Sequence, residues 1–335
     1  AAQGAFDLVF ETEASSRLSG YYDGSLFATT AEQRLRPGGA RLYGGYRLSD
    51  GNFPVYQGGS YTNAGGELKV GVLFSLLRDR VIDESRFGES DTRLALRQAE
   101  LDVLLTKIGV QQRALIAYWR WIAAGRQLEV YRDLLRNAIE RESALEEQVR
   151  RGARAEIFLT ENRQNLMRRR SLATAAERDF RLTANELSFY FRDTSGVPVV
   201  PGPEQLPASG SFDVPQGAPS IPVAATVSAA LARSPEFAIL ETAIQRARYR
   251  IALSENALKP RLDLNVELAR DMGAVAEGGP SVDSTDTIVG LSVSVPLQQR
   301  VGRGRLREAR AELDSIEQQR RELADQISIA IGNIL

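Results

Sequence analysis

The sequence predicts a mainly α chain with β: a long antiparallel coiled-coil helical hairpin joined to amphipathic β-hairpins, in two structural repeats of which the second is incomplete. Three observations carry that expectation. Several stretches alternate apolar and polar residues with period two, a proline-free stretch from Asp91 to Arg151 repeats apolar residues every seven positions, and the order strand, turn, heptad helix occurs twice.

From Phe6 to about Leu77 short period-two runs are separated by glycine-rich turns such as Pro37-Gly38-Gly39 and Ser49-Asp50-Gly51-Asn52. One run sets Ala40, Leu42, Gly44, Tyr46 and Leu48 against Arg41, Tyr43, Gly45 and Arg47, and another sets Leu68, Val70, Val72, Phe74 and Leu76 against Lys69, Gly71, Leu73, Ser75 and Leu77. The period then changes: Leu94, Leu101, Ile108, Leu115 and Ile122 form a heptad stripe. Roughly 60 helical residues at 1.5 Å each make a rod of about 90 Å, longer than the helices of ordinary globular domains.

The rod breaks at Arg151-Gly152-Ala153-Arg154, and a second helix carries Leu159, Leu166, Ala173, Phe180 and Leu187, which predicts the hairpin. Between Asp193 and Val223 the composition turns to Pro, Gly and Ser, as expected of an extended connector. A helix restarts at Ser234-Pro235-Glu236, where serine caps, proline suits the first helical position and glutamate complements the dipole. After Lys259-Pro260, Leu262, Leu264, Val266 and Leu268 alternate with Arg261, Asp263, Asn265 and Glu267. A polar loop from Asp271 to Asp286 leads to Val289, Leu291, Val293, Val295 and Leu297, alternating with Ile288, Gly290, Ser292 and Ser294. A last heptad stripe starts at Leu306, with Arg320 interrupting it. The resulting division is a first β region over 1–80, a helical hairpin over 81–192, a Pro/Gly-rich connector over 193–233, a helix over 234–259, a second β-hairpin over 260–299 and the start of another long helix over 300–335.

Composition narrows the chemistry. The chain is 43% hydrophobic and 25% charged with a formal net charge of −1, which suits a folded protein and gives no electrostatic reason to bind nucleic acid. Without Cys or His there is no thiol nucleophile, no disulfide and no imidazole base. No window reaches the apolar run of about 18 residues that a spanning helix needs, whereas barrel strands hide their apolar content by alternation and fit a mean hydropathy of −0.24. No catalytic, cofactor or metal residue is assigned. Glu140, Glu142, Glu146 and Glu147 lie on a heptad rod without a pocket, and Arg168-Arg169-Arg170 reads as a solvated face. Arg300-Val301-Gly302-Arg303-Gly304-Arg305 lacks the third glycine of a phosphate-binding turn, with Arg307 in its place, and Trp119 and Trp121 read as packing or interface residues.

In its order of elements the whole chain resembles the TolC-like outer-membrane efflux protein family. The resemblance runs through Ala5-Phe6-Asp7, Leu76-Leu77-Arg78-Asp79, Arg151-Gly152-Ala153, Ser234-Pro235-Glu236, Leu258-Lys259-Pro260-Arg261-Leu262-Asp263-Leu264 and Val295-Pro296-Leu297. It implies a homotrimer in which four strands from each protomer close a twelve-stranded transmembrane β-barrel in the outer-membrane lipid, with the helices as a periplasmic tunnel. It also implies contact of the hairpin tip with a periplasmic adaptor protein and, through it, an inner-membrane transporter. The tip residues so implicated are Arg151, Gly152, Ala153 and Arg154, with Ile157 and Phe158 falling where the family often carries a small hydroxyl residue and an aspartate. Against that family the chain is expected to be cut short at both ends, without the helix that precedes the first strand and without the second hairpin. It also holds extra strand-like sequence around Phe27 to Leu48, beyond a four-strand scheme. The alternative from another class is a soluble periplasmic coiled-coil adaptor or scaffold, which would hide the apolar strand faces in its own core.

Overall fold

Among the described residues all six strands gather into one antiparallel sheet in sequence order. The computed structural model describes residues 2–208, 222–275 and 283–334, and places β1 (Val9–Ser16), β2 (Ser25–Arg34), β3 (Arg41–Asp50), β4 (Glu67–Ser75), β5 (Arg261–Asp271) and β6 (Thr285–Ser294) side by side as β1-β2-β3-β4-β5-β6. The resemblance implies four strands; the described residues form six, and the unplaced stretch from Phe27 to Leu48 supplies most of β2 and β3 and the turn between them. The middle of the polar loop after Asp271, and the connector from 209 to 221, lie outside the described residues.

Among the described residues there are five α-helices: α1 (Glu84–Arg150), α2 (Glu156–Ser188), α3 (Val223–Arg233), α4 (Pro235–Ala257) and α5 (Arg300–Ile334). Two compact units result, one of Ala1–Asp102 with Pro222–Leu335 and one of Val103–Ile221. Among the described residues no single helix is long and apolar enough to cross a membrane; α3 and α4 meet that test only together, across a 61° bend. The bend has a local cause, since Ser234 Oγ accepts the Phe237 N–H at 3.1 Å and Pro235 occupies the first position of α4. The helix is therefore capped where expected, but α3 ahead of it corrects the expectation that the connector runs to Arg233 without helix. Arg300 to Arg305 is likewise no phosphate-binding loop: it forms the first turns of α5.

In the first unit α4 lies along α5 and against the start of α1. Arg320 of α5, the interruption in its stripe, meets Glu241 of α4 at 2.7 Å, and Arg250 of α4 meets Glu312 of α5 at 2.7 Å. Arg246 of α4 grips Asp91 of α1 through two bonds of 2.8 and 3.0 Å and donates to Gln98 at 3.0 Å. The guanidinium bond holds the Asp91 carboxyl below the ordinary aspartate range. A carboxyl lowered by folding stabilises the fold above its unfolded pKa, and that contribution is lost as pH falls through the lowered value. With the pair partly solvated, Asp91→Asn is expected to cost about 1 kcal/mol at pH 7. Its melting curve should also depend less on pH below about 4 than that of the parent. Equal acid dependence in the two proteins would refute this.

The turns leading from sheet to helix share a device. Asp79, between β4 and α1, and Gln299, between β6 and α5, are non-glycine residues with positive φ, of 66° and 50°. Asn256, 2% exposed at the end of α4, secures the first: its amide donates to Asp79 Oδ1 at 2.8 Å and its carbonyl accepts the Asp79 N–H at 3.1 Å. Gln299 secures the second by donating to the Leu258 carbonyl at 3.0 Å. Asn256→Ala removes the partner of the Asp79 N–H and of its Oδ1 in a left-handed turn and is expected to destabilise the first unit by about 1–3 kcal/mol, read from thermal unfolding.

In the second unit the α2 stripe faces inward along its whole length, with Leu159, Leu166, Ala173, Phe180 and Leu187 all buried. The α1 stripe behaves differently. Ile122 is buried, but Ile108 and Leu115 are 42% and 59% exposed, and the inner positions belong to Trp121, Leu128, Ala138 and Leu145. The 33-residue α2 runs back along only about half of the 67-residue α1, and its last buried residues, Ala184 and Leu187, share a cluster with Ala117 and Trp121, so Ile108 and Leu115 stand at or beyond its end.

Candidate functional site: a two-faced sheet and a hairpin tip

The strand pairings decide which side chains share a face. One face carries Glu11 and Glu13 of β1, Thr30 and Glu32 of β2, Tyr43 and Arg47 of β3, Glu67 and Lys69 of β4, Asn265 and Glu267 of β5, and Gly290 and Ser292 of β6. The other carries Phe10, Phe27, Ala31, Leu42, Leu48, Leu68, Val70, Val72, Phe74, Leu264, Val266, Leu268, Val289, Leu291 and Val293. Among the described residues no second layer roofs either face. On the apolar side Phe10 is 70% exposed, Leu68 54%, Val289 67% and Leu291 65%. A soluble sheet buries such a face, and an open one of this extent marks contact with lipid or a partner.

The polar face is cross-linked by its own side chains. Arg47 of β3 meets Glu67 of β4 at 2.8 Å, and Arg41 of β3 meets Glu32 of β2 at 3.3 Å. Tyr43 reaches further: its hydroxyl crosses β4 to donate to Glu267 of β5 at 2.6 Å and lies 2.9 Å from Asn265. The ring passes over Gly71, where any Cβ would come within 2.5 Å of it. No sequence signal announces a contact between residues 224 positions apart; only the strand register creates it.

The hairpin tip is built by helix-ending chemistry. Gly152 takes φ +71°, its N–H donates to the Val149 carbonyl at 2.9 Å, and the Ala153 N–H donates to the Gln148 carbonyl at 2.9 Å, the two bonds of a Schellman motif. Glu147 pairs with both Arg150 and Arg151. Arg154 lies 5.2 Å from the centre of the Phe158 ring, a cation–π contact on the first turn of α2, where Ile157 and Phe158 are 59% and 44% exposed. Arg151, Gly152, Ala153 and Arg154 thus form the turn, and Ile157 and Phe158 flank it, so all six residues lie at one exposed end of the hairpin. Trp121 is a core residue at 2% exposure, while Trp119 is 50% exposed. Among the described residues no group of three or more carboxylates is placed to hold a metal ion.

No protein-family model and no curated protein matches the chain. Solved structures do. A membrane protein from Pseudomonas aeruginosa superimposes with a TM-score of 0.56 at 16% identity, covering 99% of this chain and 66% of that one. The Campylobacter jejuni CmeC outer membrane channel gives 0.55 at 14% identity, covering 97% and 61%. The outer membrane protein VceC from Vibrio cholerae gives 0.55 at 14% identity, covering 97% and 68%. The chain spans less than two thirds of the length of the first two. At this identity the likeness establishes the fold, a TolC-like arrangement of barrel sheet and long helical hairpins.

Proposed function

We propose that the chain is one protomer of a homotrimeric outer-membrane channel, a passive exit duct for efflux or secretion across the periplasm and outer membrane. The observation that carries this reading is the six-stranded sheet with one exposed apolar face and one exposed polar face. Alternation of this kind satisfies lipid outside and water inside, and a bilayer accepts a sheet only when its edges are closed. The fold shared with outer-membrane channels supports the same reading. A soluble adaptor or scaffold is disfavoured by the same face, since among the described residues nothing covers it. The direct test is fractionation and reconstitution: the full-length protein should need detergent for extraction from outer membranes and should conduct ions in planar bilayers. Recovery of a monomer from the aqueous phase would refute the channel.

In this reading the hairpin tip is where a periplasmic adaptor, and through it an inner-membrane transporter, engages. A glycine turn lets another helical hairpin approach closely, and the exposed Ile157 and Phe158 beside Arg154 give that partner an apolar and cationic surface. Gly152→Val meets open space, so its cost is the left-handed backbone alone, about 1–2 kcal/mol. The protomer is expected to stay folded while adaptor capture in a pull-down falls several-fold. Unchanged capture would remove the tip from the interface.

A further inference from the structure

The sheet has two open ends. Among the described residues β1 is paired only with β2 and β6 only with β5; β1 is exposed at every position and β6 at every position but Gly290. Each unpaired backbone group held in hydrocarbon costs several kcal/mol, so a sheet that meets lipid cannot keep such edges bare. Both faces continue to the ends: Phe10 on β1 and Val289, Leu291 and Val293 on β6 extend the apolar side, while Glu11, Glu13, Gly290 and Ser292 extend the polar side. Six antiparallel strands also leave β1 and β6 running in opposite directions, so β6 of one copy meets β1 of the next antiparallel and the meander continues unbroken.

We infer that each edge is covered by the opposite edge of another copy of this chain, and that three copies close an eighteen-stranded barrel with all six strands of every protomer in its wall. The number of copies rests on the homotrimeric channel proposed above; the β6-to-β1 seam rests on the two edges themselves. The consequence is bore. With strands about 4.8 Å apart and tilted about 40°, eighteen strands close a ring of about 36 Å diameter, against about 24 Å for twelve. Walls of that strand number leave an aqueous channel, and the mixed charges of the polar face would line it.

The chain has no cysteine, so seams can be mapped with introduced pairs. Thr12→Cys or Ala14→Cys on β1 would be combined in the full-length protein with Thr287→Cys, Val289→Cys or Leu291→Cys on β6, all on the apolar face so that several registers are sampled. Oxidation in outer membranes should give a covalent ladder ending at the trimer for at least one combination, with a native mass of three chains. A trimer in which no β1–β6 pair cross-links, while Tyr46→Cys on β3 cross-links to the same β6 positions, would place β1 and β2 outside the wall and overturn the inference with the channel intact. A trimer with no cross-link from either strand, or a ladder ending at a dimer, would also overturn it. A detergent-independent monomer would overturn the channel reading itself.

Discussion

Val70→Arg is expected to lower the folded fraction of the protein in lipid vesicles sharply, whereas Thr30→Arg leaves it nearly unchanged. Val70 sits near the middle of β4 on the apolar face, 49% exposed, opposite Gly44 of β3 and Leu268 of β5. Thr30 sits near the middle of β2 on the other face, opposite Glu11 and Gly45. An arginine at the bilayer midplane on the lipid side of a barrel costs about 2–4 kcal/mol, falling toward zero at the interfaces, while a lumenal arginine stays in water. Glu11 and Glu32 would further offer it partners. The native Lys69, one residue from Val70, shows that β4 accommodates a full charge on its polar side. Urea titrations of refolding into vesicles give the comparison. Equal losses for the two variants, or a loss only at Thr30, would mean that the sheet does not divide lipid from water.

What could be read before the structure follows from how many surroundings each segment has. β4, β5 and β6 were legible because each turns apolar residues to one face of the sheet and mostly polar ones to the other; in β5 Leu262, Leu264, Val266 and Leu268 alternate with charged and amide residues without exception. β1 was harder, because Thr12, Ala14 and Ser16 stand where larger apolar residues would have marked its outer face. The α2 stripe is buried throughout because α1 runs beside all of it, whereas the 33-residue α2 covers only about half of the 67-residue α1 and leaves the earlier part of the α1 stripe without that partner. α3 escaped notice because Val223–Arg233, rich in alanine, offers little two-faced pattern and follows a Pro/Gly-rich stretch. At the tip a single Gly between two heptad runs was enough, since a left-handed helix end demands it. The link from Tyr43 to Glu267 had no local trace at all, and neither did the strand total, which depends on which hairpins join one sheet.

The largest stability effect in the second unit is expected from Trp121→Ala. The indole is 2% exposed, lies against Phe180 with ring centroids 6.2 Å apart, and belongs to a buried cluster with Ile122, Leu128, Ala184 and Leu187. Truncating a buried tryptophan removes its transfer free energy and leaves a cavity that two stiff helices cannot fill, at about 3–5 kcal/mol. The same position has a polar defect, because the indole N–H is buried with no hydrogen-bond partner among the described residues. Trp121→Phe deletes that donor and keeps a ring against Phe180, so its cost should stay below about 1.5 kcal/mol. Trp119→Ala, two positions away and 50% exposed, should cost less than about 1 kcal/mol in the isolated protomer. Urea unfolding followed by far-ultraviolet circular dichroism ranks the three. If Trp119→Ala proved the most damaging, the hairpin would be held by the outer face of α1 and not by the line from Trp121 to Leu145, and the inward register of α2 would have to be redrawn.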